Sequence, residues 1–323
     1  MAPLPRAAIE LCGSSMRYAE AEPAPGGARL LRLGACEFAF DVRGALERGH
    51  EADLATLADA VRDVFRGSRA DGLAAVLHPD GLTSWAAPFD AAADDAAVRA
   101  RLEQEAALFA GSGPHALLAH PLFREPDGAG GMRAWVLALA LPELWAARLD
   151  RATRGLDRPG ARVLLSTQGA ATALAALLRS EPGDGFGNAS EPARPGDGFA
   201  EDGASEDAAL AVGLYDAHAE FALVAGGRTR LTGHARTAEP ADAAFAALRL
   251  VAGTAGAHAP RAVRLYGTHA TPGAFEAFGA AFGVEARALD PLDAVALDTP
   301  RPPGFTGEAF APALGATLGR FEG

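Results

Sequence analysis

Residues 7–20 constrain the fold most strongly, because they read as two short strands joined by a tight turn. The first strand is Ala-Ala-Ile-Glu-Leu-Cys, the turn is Gly-Ser-Ser, and Met-Arg-Tyr-Ala-Glu runs back. A glycine followed by two small hydroxyl residues can direct backbone N–H groups and side-chain hydroxyls at one anion. The stretch therefore predicts a β-hairpin whose tip is suited to an anion.

This hairpin resembles the first phosphate-binding hairpin of the actin-like ATPase superfamily, and in detail the opening of the type IV pilus assembly family PilM. That family typically begins Asp-hydrophobic-Gly-Ser-Ser-Ser-hydrophobic-Lys. Here Glu10 stands at the Asp position, Cys12 at the glycine, Gly13, Ser14 and Ser15 at the serine run, and Arg17 at the lysine. The cytoplasmic region of the type II secretion protein GspL is similar in build and is the second resemblance.

The resemblance implies an α/β, two-lobed actin-like (ribonuclease H-like) fold with an inserted SHS2-type subdomain and a reduced second lobe. A helix-strand-strand-helix pattern marks the insertion, and a repeated Pro-Gly-Asp-Gly-Phe within a Glu-, Ser- and Pro-rich stretch marks a linker that cannot bury a core. The predicted organisation is a first lobe at 1–88 and 158–179, an insertion at 89–157, a disordered linker at 180–207 and a truncated second lobe at 208–323.

Composition excludes several classes of function. All 29 basic residues are Arg, so a P-loop lysine, a Schiff base and a lysine general base are ruled out. A net charge of −12 opposes nucleic acid binding. Two cysteines make no disulfide framework, and no apolar run approaches the ~18 residues of a membrane span. We expect a cytoplasmic protein with no direct membrane insertion.

The predicted nucleotide site departs from the actin-like pattern in its two hairpins. Glu10 replaces the metal-binding Asp, and Cys12 replaces a glycine that lets the backbone approach phosphate. In the second hairpin, Gly213 falls at the acidic position and Tyr215 at the glycine. Asp216 would supply the missing acidic residue only if the turn shifted.

The adenosine-binding turn is also altered. Of its glycines only Gly267 is kept, while Tyr266 and His269 are bulky where the nucleotide would lie. One helix, Pro240–Val251, fits before the strand that leads to this turn, which predicts the reduced second lobe. We therefore expect a pseudo-ATPase without a catalytic residue or cofactor, in which ATP and Mg²⁺ bind only if the site proves functional. The vestigial site comprises Glu10, Gly13, Ser14, Ser15, Arg17, Asp216 and Gly267.

The resemblance implies a scaffold of a type IV pilus or type II secretion assembly complex. Such a scaffold lies in the cytoplasm, peripheral to the inner membrane, and binds a cytoplasmic peptide of a PilN-like or GspL/GspM-like partner. The strands His115–Phe123 and Arg133–Leu141 would offer an edge for that peptide, with Trp135 as an aromatic anchor or as a core residue of the insertion. The alternative is an active ATPase or small-molecule kinase of the same superfamily.

A metal site is not expected from the sequence. The eight histidines are scattered, and His115 and His120 lie five residues apart on a predicted strand, so they would face opposite sides. Exposed or hydrogen-bonded histidines are the commoner outcome for such a distribution.

Overall fold

The computed structural model describes residues 4–111, 113–154, 161–180, 208–253 and 259–319. From residue 181 onward, the predicted linker at 180–207 lies outside the described residues. No helix formed by the described residues is long and apolar enough to cross a membrane.

The strands and helices alternate along the chain in two similar runs. The strands are β1 (Arg6–Cys12), β2 (Ser15–Ala24), β3 (Gly27–Glu37), β4 (Gly72–Leu77), β5 (Thr83–Asp90), β6 (His115–Pro126), β7 (Met132–Pro142), β8 (Arg162–Leu165), β9 (Ala208–Leu214), β10 (Ala219–Ala225), β11 (Arg228–Ala235), β12 (Ala262–Tyr266) and β13 (Ala286–Ala288). The α-helices are α1 (Val42–Arg48), α2 (Glu51–Val64), α3 (Asp95–Phe109), α4 (Glu143–Thr153), α5 (Ser166–Ser180), α6 (Pro240–Ala252), α7 (Pro272–Phe282) and α8 (Ala311–Leu318).

Two five-stranded sheets share one topology, and this repetition defines the two lobes. The first sheet has the order β3-β2-β1-β4-β8 and the second has the order β11-β10-β9-β12-β13. In each, a hairpin and a third antiparallel strand are followed by two strands parallel to the first. The predicted two-lobed α/β fold is therefore confirmed. As predicted, one helix, α6, lies between β11 and β12 among the described residues.

The two helices between the lobes are exchanged. Leu174, Leu178 and other residues of α5, which follows the first sheet, pack against the second sheet. Residues of α8, which follows the second sheet, pack against β1, β2 and β4 of the first. At their crossing, a Cβ on Gly169 would collide with the Pro312 carbonyl, and one on Gly315 with the Gly169 carbonyl. The two helix backbones are thus in contact, and the layer order is helix, sheet, helix pair, sheet, helix.

A third sheet, β5-β7-β6, carries the insertion, which we call the inserted sheet. The boundary predicted after residue 88 is wrong, because Thr83–Asp90 pairs along its whole length with β7. One face of the inserted sheet packs on α3, including Leu102. The other face places Leu137, Leu139 and Leu141 in the hydrophobic core of the first lobe. The insertion and the first lobe therefore share one core.

Candidate functional site

Polar side chains converge where the carboxyl ends of the central strands of both sheets meet. In open α/β sheets this end of the parallel strands is where ligands bind. Glu10 lies on β1, His78 directly follows β4, and Tyr266 ends β12. The second hairpin adds residues at the end of β9 and the start of β10. We call the set the inter-lobe cluster: Glu10, Arg17, His78, Ser166, Tyr215, His218, Glu220 and Tyr266.

Glu220 is the centre of the cluster and is fully buried. Its Oε1 lies 2.5 Å from Nδ1 of His78 and 2.9 Å from Nε2 of His218. Its Oε2 accepts a hydrogen bond of 2.5 Å from the Ser166 hydroxyl and one of 3.2 Å from the Tyr266 hydroxyl. Ser166 is the first residue of α5, so the positive end of that helix dipole also lies beside the carboxylate.

Glu10 supplies the matching carboxylate from the first lobe and is also fully buried. Its Oε1 lies 3.1 Å from Nε2 of His78 and accepts a 3.2 Å hydrogen bond from Nη1 of Arg17. Its Oε2 is buried with no hydrogen-bond partner among the described residues. His78 thus lies between two carboxylates, one from each lobe.

Charge pairing sets the electrostatics of the cluster. Burial alone would lower the pKa of His78, but the adjacent Glu220 carboxylate raises it well above its usual value. Burial alone would raise the pKa of Glu220, but the positive charge of His78 and the hydrogen bonds from both histidines hold it well below its usual range. A carboxylate buried in this way is stable only with such partners.

Two tyrosine rings fill the space around the histidines. The Tyr215 ring meets His78 edge-on at 4.5 Å between centroids and stacks on His218 at 5.0 Å. Tyr215 and Tyr266 are almost fully buried, and burial together with the nearby carboxylates raises the pKa of both phenols well above the usual value. Both side chains are therefore neutral and occupy the cleft between the lobes.

A cavity of about 400 Å³ lies next to the cluster. His78 and His218 line it, and so do five of the seven residues predicted for the vestigial nucleotide site: Gly13, Ser14, Ser15, Arg17 and Asp216. Glu10 lies behind His78, and Gly267 lies in the turn after β12. The structure therefore brings most of the predicted residues together, at the mouth of the buried cluster.

The hairpin tip is engaged by its own neighbours. The Gly13 carbonyl accepts the N–H of Val42 at 2.8 Å, and the Ser14 carbonyl accepts that of Phe38 at 2.7 Å. The Ser15 hydroxyl donates to the Cys12 carbonyl at 3.1 Å. Gly13 has φ +56°, a conformation that glycine adopts readily.

The remaining predicted residues lie on the second lobe. Asp216 is exposed, and its Oδ1 lies 3.0 Å from Nε2 of His269. Gly267 has φ +95°, and a Cβ there would lie 2.5 Å from the Leu214 carbonyl oxygen. Gly267 is thus required by the packing of the turn against β9.

Trp135 does not lie on a free strand edge. It belongs to β7, the central strand of the inserted sheet, which pairs with β5 and β6. Its indole donates to Glu125 at 2.7 Å and stacks on Phe123 at 5.8 Å. Arg230 of β11 in turn covers the Phe123 ring at 4.6 Å. The predicted edge on Arg133–Leu141 is therefore wrong, and Trp135 belongs to the contact between the inserted sheet and the second lobe.

Sequence reasoning missed His78 and Glu220. Glu220 is the one carboxylate within the otherwise apolar strand β10, and His78 follows directly on a buried parallel strand. A charged residue in a buried strand needs a polar partner, so the position of Glu220 in the sequence indicates a buried polar site. The expectation of scattered histidines is also modified, because His78, His218 and Glu220 place one potential metal-ligating atom each within 4.8 Å of one another.

Comparison with known proteins places the fold. No protein-family model matches the chain, and no curated protein matches it. A chain of the PilM-PilN type IV pilus biogenesis complex matches over 97% of both chains with a TM-score of 0.70 and 17% identity. The chain has the fold of that protein.

Two further solved structures match with TM-scores under 0.5, too distant for a functional argument. A Bacteroides thetaiotaomicron protein with an actin-like ATPase fold has 7% identity, with 88% of this chain and 91% of that chain covered, and a TM-score of 0.49. The cytoplasmic domain of EpsL, an inner-membrane component of the type II secretion system of Vibrio cholerae, has 8% identity, with 98% and 96% covered, and a TM-score of 0.45.

Proposed function

We propose that this protein is a cytoplasmic, non-catalytic scaffold of a type IV pilus or type II secretion assembly complex, and that it binds a short cytoplasmic peptide of an inner-membrane partner. The observation that carries the proposal is the full-length match to a chain of the PilM-PilN complex, which includes both lobes and the insertion. The hairpin motif supports the same proposal, because the residues from Glu10 to Arg17 follow the spacing of the motif that opens the PilM family.

The inter-lobe cluster supports the absence of nucleotide turnover. Nucleotide turnover on this fold needs a cleft that admits phosphates and a metal ion between the lobes. In this chain Tyr215 and Tyr266 occupy the inner end of that cleft, beside the cavity of about 400 Å³, and His78 joins the two carboxylates across it. Opening the cleft would expose Glu10 and Glu220 without their partners, which costs several kcal/mol for a buried charge pair, on the order of 3–5.

The inserted sheet supplies two outer strands, and β6 offers the longer accessible edge. Ala91 donates to the Met132 carbonyl, so these two residues form a hydrogen-bonded pair of the antiparallel ladder. Because such pairs alternate along the strand, the backbone N–H and C=O groups of Ser84, Ala86 and Pro88 on β5 point away from β7. Pro88 has no N–H, and its carbonyl is bonded by Arg101. This edge is therefore blunted after two outward positions.

On β6 the same alternation gives three residues, before a proline, whose backbone groups point away from β7. Glu143 donates to the Pro114 carbonyl, so His115, Leu117 and Ala119 point their backbone groups away from β7. Pro121 then ends the run. An extended peptide can pair with three such positions while its alternate side chains enter neighbouring pockets. We assign peptide binding to this segment of β6.

The test is capture of a partner by the immobilised full chain, followed by competition. Detergent-solubilised inner membranes of the source cells are the sample, and synthetic peptides covering the cytoplasmic N-terminus of the captured protein are the competitors. We expect one single-pass membrane protein, released by one short peptide. Deleting residues 89–157 is unsuitable, because Leu139 and Trp145 belong to the core of the first lobe.

A matched pair of proline variants locates the surface. Ala119→Pro on β6 and Ala86→Pro on β5 each remove one outward N–H at an exposed alanine. Ala119→Pro should weaken peptide affinity at least about tenfold, the equivalent of 1.4 kcal/mol, whereas Ala86→Pro should leave it unchanged. Capture of no such membrane protein would refute the scaffold, and loss in Ala86→Pro alone would move the peptide to β5.

A further inference from the structure

We propose that His78, His218 and Glu220 bind one divalent transition metal ion of the zinc type, which ties the two lobes together. His78 belongs to the first lobe, and His218 and Glu220 belong to the second. The three potential ligand atoms lie within 4.8 Å of one another. Two imidazoles and a carboxylate are a ligand set for zinc and its neighbours, whereas magnesium and calcium prefer oxygen alone.

Both ring nitrogens of His78 face carboxylate oxygens, so either a second proton or a metal ion lies between His78 and Glu220. Nε2 of His78 lies 3.1 Å from Glu10 Oε1, and Nδ1 lies 2.5 Å from Glu220 Oε1. An ionised carboxylate only accepts hydrogen bonds, and a neutral imidazole has a single N–H. If Nε2 donates to Glu10, the lone pair of Nδ1 faces a carboxylate oxygen. A second proton or a metal ion resolves this, and the His218 nitrogen at 2.9 Å from the same oxygen makes the position three-sided.

Glu10 has the position of an outer-shell partner. Histidine ligands almost always donate their second N–H to a carboxylate or carbonyl, which fixes the tautomer and orients the ring. Glu10 is positioned to accept such a hydrogen bond from Nε2 of His78, at 3.1 Å, and Arg17 in turn donates to Glu10 at 3.2 Å. The remaining oxygen of Glu10 is buried and has no hydrogen-bond partner among the described residues, an independent observation that points to a ligand here. Ser166 and Tyr266 orient Glu220 by hydrogen bonds to its other oxygen.

The ion has a route and room to bind. His78 and His218 line the cavity of about 400 Å³, so an ion can reach them from that side and keep a water in its fourth position. Zinc bonds of about 2.0–2.2 Å place neighbouring ligand atoms roughly 3.3 Å apart. The present separations of 2.5 and 2.9 Å need to widen by less than one ångström.

Isothermal titration of the chelator-treated full chain with ZnCl₂ tests the proposal. We expect one ion per chain, a rise in Tm on zinc addition, and visible d–d absorption when Co²⁺ replaces zinc. His218→Gln keeps an amide donor for Glu220 but removes the ligand, and it should abolish stoichiometric binding. His269→Gln is the control, because its imidazole is half-exposed on the second lobe beside Asp216 and lies outside the ligand set.

Glu10→Gln tests the outer shell and keeps the ligand set intact. It should weaken zinc binding by about 10–100-fold without changing the stoichiometry. Absence of stoichiometric zinc binding by the wild-type chain overturns the proposal, whether or not the variants fold. Equal binding by His218→Gln and wild type overturns it too, as does loss of binding in His269→Gln. None of these results bears on peptide capture, so the scaffold proposal is tested separately.

Discussion

The Tyr266 ring occupies the space that a side chain at Gly213 would need. A Cβ built on Gly213 would lie 2.6 Å from Cζ of that ring, closer than any real contact. Gly213 is the ladder partner of both Tyr266 and Glu220. Its lack of a side chain therefore allows the tyrosine to reach the buried carboxylate.

Restoring an acidic residue at this position should destabilise the protein and leave nucleotide binding unrestored. In Gly213→Asp the new carboxylate collides with Tyr266 and faces Glu220, so we expect a loss of at least about 1–3 kcal/mol in the free energy of unfolding. Urea denaturation measures it. Gly273→Asp is the control, since Gly273 has open space and lies in the first turn of α7. An unchanged stability, or a gain of ATP affinity, would contradict our reading of the cleft.

Wild-type protein should bind Mg-ATP negligibly. Tyr215 and Tyr266 occupy the inner end of the cleft between the lobes, and the Ser15 hydroxyl donates to the Cys12 carbonyl rather than facing a phosphate. Isothermal titration with Mg-ATP after removal of other divalent ions should give no saturating heat up to millimolar nucleotide. Micromolar binding that Asp216→Asn abolishes would show that a nucleotide switch survives.

Stability should fall in mild acid because of His120. Burial and the adjacent positive charge of Arg162 lower the pKa of His120 to about 4, while the Val163 backbone contact opposes this weakly. In the unfolded chain the pKa is near 6.5, so between about pH 6.5 and 4 the unfolded state binds the extra proton. Lowering the pH through this window therefore reduces the free energy of unfolding by up to about 3 kcal/mol.

Replacing His120 separates its contribution from the rest of the acid response. The change in unfolding free energy between pH 7 and pH 4.5 should be smaller in His120→Gln than in wild type. His50→Gln provides the comparison, since the His50 side chain is 66% exposed. Parallel pH profiles for wild type and His120→Gln would refute the buried neutral histidine.

The inserted sheet should unfold together with the first lobe. Leu139 on β7 is fully buried in their common core, so Leu139→Ala should cost about 2–5 kcal/mol. Leu108→Ala is the matched control, because Leu108 on α3 is 79% exposed and its truncation should change the free energy of unfolding little. Near- and far-ultraviolet circular dichroism should report one coincident transition in denaturant for both variants. Separate transitions in Leu139→Ala would mean that the insertion is an independent unit.

The repeated strand order was predictable, because turn residues and apolar strands recur in the same sequence in both halves. The short helix α1 was missed, although its ends carry readable signals. Asp41 caps it by accepting the Gly44 N–H at 2.6 Å, and Gly49 ends it with φ +71°. A seven-residue helix is too short to show a periodic apolar stripe, so only its caps mark it.

Local sequence patterns could not predict the boundary of the insertion or the inter-lobe cluster. The strand Thr83–Asp90 reads the same whichever sheet it joins, and its pairing with β7 is decided by tertiary packing. His78 and Glu220 are 142 residues apart in the chain, so their contact arises only when the lobes meet. The hairpin residues were found because their spacing is local.

The exchange of α5 and α8 between the lobes has a consequence for the order of folding during synthesis. The face of β1, β2 and β4 that α8 covers is made early, whereas α8 leaves the ribosome after every other described helix. Until then that apolar surface, with Ala8 and Val76, has no cover from its own half of the chain. We therefore expect the nascent first lobe, with this apolar surface still uncovered, to be the stage of synthesis most prone to aggregation.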